Sequence, residues 1–72
     1  MRIGEIIRKY RKEQEMTQEQ LAKLLGVTAS AVNKWERGSA CPDISLLAPV
    51  ARALSITLDT LLAYHERLSE EE

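Results

Sequence analysis

Apolar positions along this chain fall into five short runs, each with the three- and four-residue spacing of a helix face. Ile3, Ile6, Ile7 and Tyr10 line one side of a first segment over 3–15. Leu21, Ala22, Leu24 and Leu25 do so over about 18–25, and Ala31, Val32 and Trp35 over about 29–37. Leu46, Leu47, Val50, Ala51 and Leu54 form a fourth face, and Leu58, Leu61 and Leu62 a fifth. The pattern predicts one all-α domain of five helices over residues 1–65, followed at 66–72 by an acidic tail or the start of a linker.

The boundaries of these runs carry their own signals. Thr17 is a good N-cap, and Gln20 three residues on completes a capping-box pattern, with Met16 and Leu21 spaced for a hydrophobic staple. Thr28 repeats the device for the third helix, with Val27 against Val32. Gly26 and Gly38 supply the left-handed residues that end the second and third helices. Pro42 stops the chain from continuing as helix, and the fourth helix starts at a cap supplied by Ser45 or Asp43. Ser45 is preferred, because it makes Pro49 the fourth helical residue and limits the loss to one early bond. Thr57 caps the fifth helix, with Asp59 in its first turn.

Two short helices joined by a one-glycine turn cross steeply and leave one side of the second free, the geometry of a helix-turn-helix. That free side carries Ala29, Ser30, Asn33, Lys34 and Arg37 at steps of three, four and seven. Arg8, Lys9, Arg11 and Lys12 cover much of the first helix away from its apolar face and read as a solvated surface, except that Arg11 sits at the edge of the apolar stripe.

Seventy-two residues, 44% of them hydrophobic, allow one small core; a domain of this size buries only about 60% of its unfolded surface. No apolar run approaches the roughly 18 residues that cross a membrane, nothing at the start reads as a signal peptide, and a single cysteine suits a reducing compartment. The cytoplasm is the expected location. The formal net charge of −1 conceals an uneven distribution, because four of the eleven acidic residues lie in the last seven positions. Before His65, nine basic residues face seven acidic ones, a balance of +2. That surface is weakly basic, which is modest for a nucleic-acid partner.

Enzyme chemistry finds no support: there is no nucleophile beside a base, no glycine-rich phosphate loop and no carboxylate pair at catalytic spacing. Cys41 and His65 are too few and too distant to suggest a metal site, and no cofactor is expected.

The run TQEQLAKLLGVTASAVNKWERG, the following Pro42-Asp43 and the segment LLAPVARALSITLDTLL closely resemble the lambda-repressor-like, Cro/C1-type (XRE family) helix-turn-helix domain, over residues 3–64. The resemblance implies a compact five-helix fold and sequence-specific binding of double-stranded DNA by a prokaryotic or phage-type transcriptional regulator. The third helix would enter the major groove. Ala29, Ser30 and Lys34 match the family's main base-reading positions, and Asn33 lies on the same stripe. Lys34 suits guanine O6 and N7, Asn33 adenine N6 and N7, and Ala29 a thymine methyl, while Ser30 discriminates weakly. The bland alternative for each is a solvent-facing residue. Thr17, Gln18, Thr28 and Arg37 would hold phosphates. Arg11 and Glu36 resemble a pair that ties the first helix to the third, and Trp35 matches a core position rather than a base-stacking platform.

The chain departs from the family pattern in two places. Ser55 stands where glycine is frequent, and Ser39, Ala40 and Cys41 stand where many members carry Lys or Arg, which weakens the expected phosphate clamp. One copy covers little groove, so a homodimer on a pseudo-palindromic operator is expected, with the fifth helix (Leu58, Leu61, Leu62, Tyr64) as the self-contact surface or a further C-terminal region supplying dimerisation or sensing. The alternative function on this fold is a protein-interaction module, such as an antitoxin or antirepressor-like partner.

Overall fold

The computed structural model describes residues 3–62; Met1, Arg2, Tyr64, His65 and the expected acidic tail lie outside the described residues. The helices are α1 (Ile3–Glu13), α2 (Gln18–Leu25), α3 (Ala29–Arg37), α4 (Leu47–Ala53) and α5 (Leu58–Leu61), with a 3-10 turn at Ile44–Leu46 leading into α4. Threonine hydroxyls open three of them. Thr17, Thr28 and Thr57 each accept from the backbone N–H three residues on, at 3.0, 3.1 and 3.0 Å. At Thr17 the reciprocal bond is present as well, with its backbone N–H donating to Gln20 Oε1 at 2.8 Å.

Four helices close by one device, a left-handed residue followed by an N–H that reaches back five residues. The returning bonds are Met16 to Arg11, Val27 to Ala22, Ser39 to Lys34 and Ile56 to Ala51, all between 2.9 and 3.0 Å. Gly26 and Gly38 hold the left-handed position at φ 74° and 81°, but Glu15 and Ser55 hold it in α1 and α4 at φ 56° and 60°. The first helix therefore stops at Glu13 rather than running to 15. Neither Glu15 nor Ser55 is a residue that favours this conformation.

The core is assembled between these ends. Ile7, Leu21, Val32, Val50, Leu54 and Leu61 are fully buried, with Ile3, Ala22, Trp35 and Ala51 beside them. α3 packs against both α1 and α2, and α4 joins α2 to α5. Trp35 is a core residue at 5% exposure. The approach of α1 to α3 is so close that a Cβ at Gly4 would lie 2.1 Å from the Trp35 carbonyl oxygen.

Three sequence expectations fail here. Leu24 does not join the α2 core face and is 64% exposed, because a 3.6-residue turn brings Leu21, Ala22 and Leu25 to one side and rotates Leu24 off it. Leu58, expected to turn inward, is 43% exposed: it opens a one-turn helix too short to bury three leucines, and Leu61 takes the buried place. The cap before α4 is Asp43, not Ser45. Its carboxylate accepts from the Ser45 N–H at 3.0 Å and from Ser45 Oγ at 2.6 Å, which closes the 3-10 turn. Pro49 then falls third in α4, where an N–H has no intrahelical partner, so its absence costs nothing. The Ser45 hydroxyl, then its backbone N–H, hold the Asp43 carboxyl below its ordinary value of 3.8. The stabilising effect is present above that range and is lost as pH falls through the lowered pKa.

Gly4→Ala should lower stability by about 2 kcal/mol, since the backbone carbonyl it meets cannot swing away. Ser55→Gly should raise it by about 0.5–1 kcal/mol, the left-handed strain relieved less the extra chain entropy of glycine. Thermal unfolding followed by circular dichroism reads both, at about 4–8 °C per kcal/mol for a domain of this size.

Candidate nucleic-acid interface

The site begins with Arg11, which is buried at 9% exposure near the end of α1. A guanidinium there must have all its faces satisfied. Its Nε donates to Glu36 Oε2 at 2.6 Å and its Nη2 to Glu36 Oε1 at 3.0 Å, a bidentate pair across α1 and α3. Its Nη1 donates to the Met16 carbonyl at 2.7 Å, in the link that leads into the Thr17 cap. One side chain thus holds the end of α1, the start of α2 and the last turn of α3.

Glu36 extends the network. Its Oε1 also accepts from Gln18 Nε2 at 3.0 Å, and Gln18 Oε1 accepts from Asn33 Nδ2 at 3.4 Å. Among the described residues no buried side-chain polar atom lacks a partner. Arg8, Arg11, Gln18, Asn33, Glu36 and Arg37 line one polar groove where α1, α2 and α3 meet. Within it Arg11 and Glu36 neutralise one another, which leaves the exposed Arg8 and Arg37 to set a positive potential beside the first N–H groups of α2. The sequence pattern places Arg8 on a solvated face, yet the structure brings it into this groove. The available signal was its position three residues before Arg11, which puts both on the same side of α1.

The other candidate residues divide by exposure. Ser30, Lys34 and Arg37 stand exposed along the outer side of α3. Ala29 is half-buried and packs against the core, and Asn33 is half-buried with its amide given to Gln18. The five residues therefore do not form one uniform outward stripe. Thr17 and Thr28 are exposed, and each hydroxyl oxygen is engaged as a helix cap with its O–H still free to donate outward. On the supposed self-contact surface Leu61 is fully buried and so cannot take part, while Tyr64 lies outside the described residues. Cys41 is exposed, and no group of metal-ligating side chains occurs among the described residues. No helix of the described residues is long and apolar enough to cross a membrane.

Comparison with known proteins agrees with this geometry. The Helix-turn-helix family model matches residues 7–61. The HTH-type transcriptional activator BcrR of Enterococcus faecalis is 35% identical over 72 residues, which cover 100% of this chain and 35% of the activator. Repressor protein C2 of Salmonella phage P22 is 35% identical over 74 residues, covering 90% of this chain and 34% of the repressor. The chain thus spans about a third of the length of these two relatives. The crystal structure of the P22 c2 repressor in complex with a synthetic operator superposes with a TM-score of 0.78 at 36% identity, over 82% of this chain and 89% of that one. All five helices of the described fold fall in or beside the matched stretch, and the chain belongs to the Cro/C1-type helix-turn-helix family.

Proposed function

We propose that this chain is the sequence-specific DNA-binding part of a cytoplasmic transcriptional regulator, with a binding rather than catalytic role. The observation that carries the reading is the exposed side of α3, where Ser30, Lys34 and Arg37 project from a helix whose opposite side is fixed in the core by Val32 and Trp35. A helix so held can enter the major groove without rearrangement. Lys34 is the principal base reader, suited to guanine. Ser30 and Asn33 contribute polar contacts, and Ala29 allows close approach to a thymine methyl. Gln18, Arg37, and the hydroxyls of Thr17 and Thr28 position the domain on phosphates, with Arg8 added to this group from its place in the groove.

A symmetric pair of copies on a pseudo-palindromic operator fits the small contact area of one domain. Leu58 and Ile44, at 43% and 82% exposure, are apolar side chains available for self-contact. The second reading, a protein-interaction module, is favoured by the net charge of −1 and by the exposed Leu24.

Selection of bound duplexes from a random library at low salt separates the two. The DNA reading expects enriched half-sites with centres about 34 Å apart and affinity that falls steeply with salt; failure to enrich any sequence favours the interaction module. On the selected operator, Lys34→Ala should relax preference at one base pair, whereas Arg37→Ala and Arg8→Ala should weaken all sequences by similar factors. Arg11→Met and Glu36→Ala should each lower stability by about 3 kcal/mol, since each leaves a buried charge uncompensated. Urea unfolding of the double variant should show a loss clearly smaller than the sum of the two.

A further inference from the structure

The outer side of α1 is open between two neighbours. Gly4 and Arg11 meet α3, and α5 also packs against α1, which places α5 towards Tyr10. Helical spacing orders the exposed arc between them: Ile6 beside Tyr10, then Lys9, Lys12, and last Arg8 at the edge of the polar groove. Arg8, Lys9 and Lys12 are exposed, and among the described residues none of the three makes an ion pair. The Lys9 ammonium stands over the Tyr10 ring at 5.2 Å, which draws its charge to the α5 side of the arc. Glu5 and Glu13 share this arc, so it offers a local match for carboxylates rather than a broad positive field. The sequence that follows Leu62, residues 63–72, carries four Glu against one Arg, with Leu68 between Glu66 and Glu70. A segment of that length reaches about 33 Å when extended, twice the roughly 16 Å length of α1.

We propose that residues 63–72 dock on this arc of α1, carboxylates towards Lys9, Lys12 and Arg8 and Leu68 against Ile6 and Tyr10, and that the docked segment competes with DNA for Arg8. Ile6 and Tyr10 are half-buried and leave apolar surface beside the cations. The competition rests on the proposed phosphate contact of Arg8, whereas the docking does not. Because the segment must leave Arg8 before a phosphate can reach it, affinity falls by one common factor for every duplex and base preferences are unchanged. A segment docked about two-thirds of the time costs about threefold. The contact is between exposed charges, so it loosens as salt shortens the Debye length from about 10 Å at 0.1 M to about 3 Å at 1 M. The acids that bring the net charge to −1 thereby act on one face of the domain.

The test places a nitroxide on Ser69→Cys in the whole chain, with Cys41→Ser so that one thiol is labelled. Without DNA and at low salt, amide signals of Lys9 and Lys12 should broaden more than those of α2 and α3, and should recover at high salt. The broadening should be lost when Glu66, Glu70, Glu71 and Glu72 are all changed to Gln, and also in Lys9→Gln/Lys12→Gln. Broadening as strong on α2 or α3 as on α1, or unaltered by the four Gln, overturns the docking. In the unlabelled chain the four Gln should raise affinity for every duplex by about threefold, and by much less in the Lys9→Gln/Lys12→Gln background. An equal gain in both backgrounds is a plain charge effect and overturns the competition. If α1 broadens as expected but no duplex binds, the DNA-binding reading fails with the competition, and the docking stands. If duplexes bind and α1 does not broaden, the proposal fails and the DNA-binding reading stands.

Discussion

The buried Arg11–Glu36 pair is the interaction on which the reading head depends. Its two charges are removed from water at 10% and 4% side-chain exposure, and such burial is repaid only when geometry is good and the remaining polar atoms are satisfied. Both conditions hold here. The guanidinium makes a fork onto the carboxylate and a third bond to the Met16 carbonyl, and Gln18 takes up further capacity of Glu36. A network with one member missing would be worse than none, because an unpaired charge would remain inside. The pair also has a directional consequence that an apolar contact lacks: it sets the angular position of α3 relative to α1 and the entry to α2.

Around that fixed point the chain turns corners by repetition. Threonine caps open α2, α3 and α5, and a left-handed residue with a five-residue return bond closes α1 to α4. Two of the four closures use glycine, and both lie in the helix-turn-helix, at Gly26 and Gly38. The closures at Glu15 and Ser55 carry strain and lie outside it. Both ends of α3 are thus free of strain, and its contact with α1 is tight enough to exclude a single methyl at Gly4. The outward side chains Ser30, Lys34 and Arg37 inherit that order.

Much of this was legible in the sequence because its signals are local. The caps at Thr17, Thr28 and Thr57, the two glycine ends and the burial of Trp35 follow from residues within a turn or two of each other. What was not legible depends on tertiary placement. Leu24 has the same hydropathy as Leu21 and differs only in which side of α2 meets α4. Glu15 gives no sign of a left-handed turn, because nothing in its side chain asks for one. Asp43 and Ser45 are both competent caps, and the intervening 3-10 turn decided between them. In the candidate site, Asn33 shares helical spacing with Lys34 and Arg37, yet it turns towards Gln18 because Glu36 has fixed the polarity of that glutamine. The weak basic balance has a related physical reading: Arg11 and Glu36 cancel inside the domain, and Arg8 and Arg37 are left to act outside.

The most direct test of the account is where duplex DNA touches the protein. Amide chemical shifts recorded while the selected operator is titrated into the chain should move most at Ser30, Lys34, Arg37, Gln18 and Thr17. Lys23, beside the exposed Leu24, should stay in place. Shifts concentrated on Leu24 and its neighbours, with the outer side of α3 unmoved, would contradict the account and assign the contact to a different face.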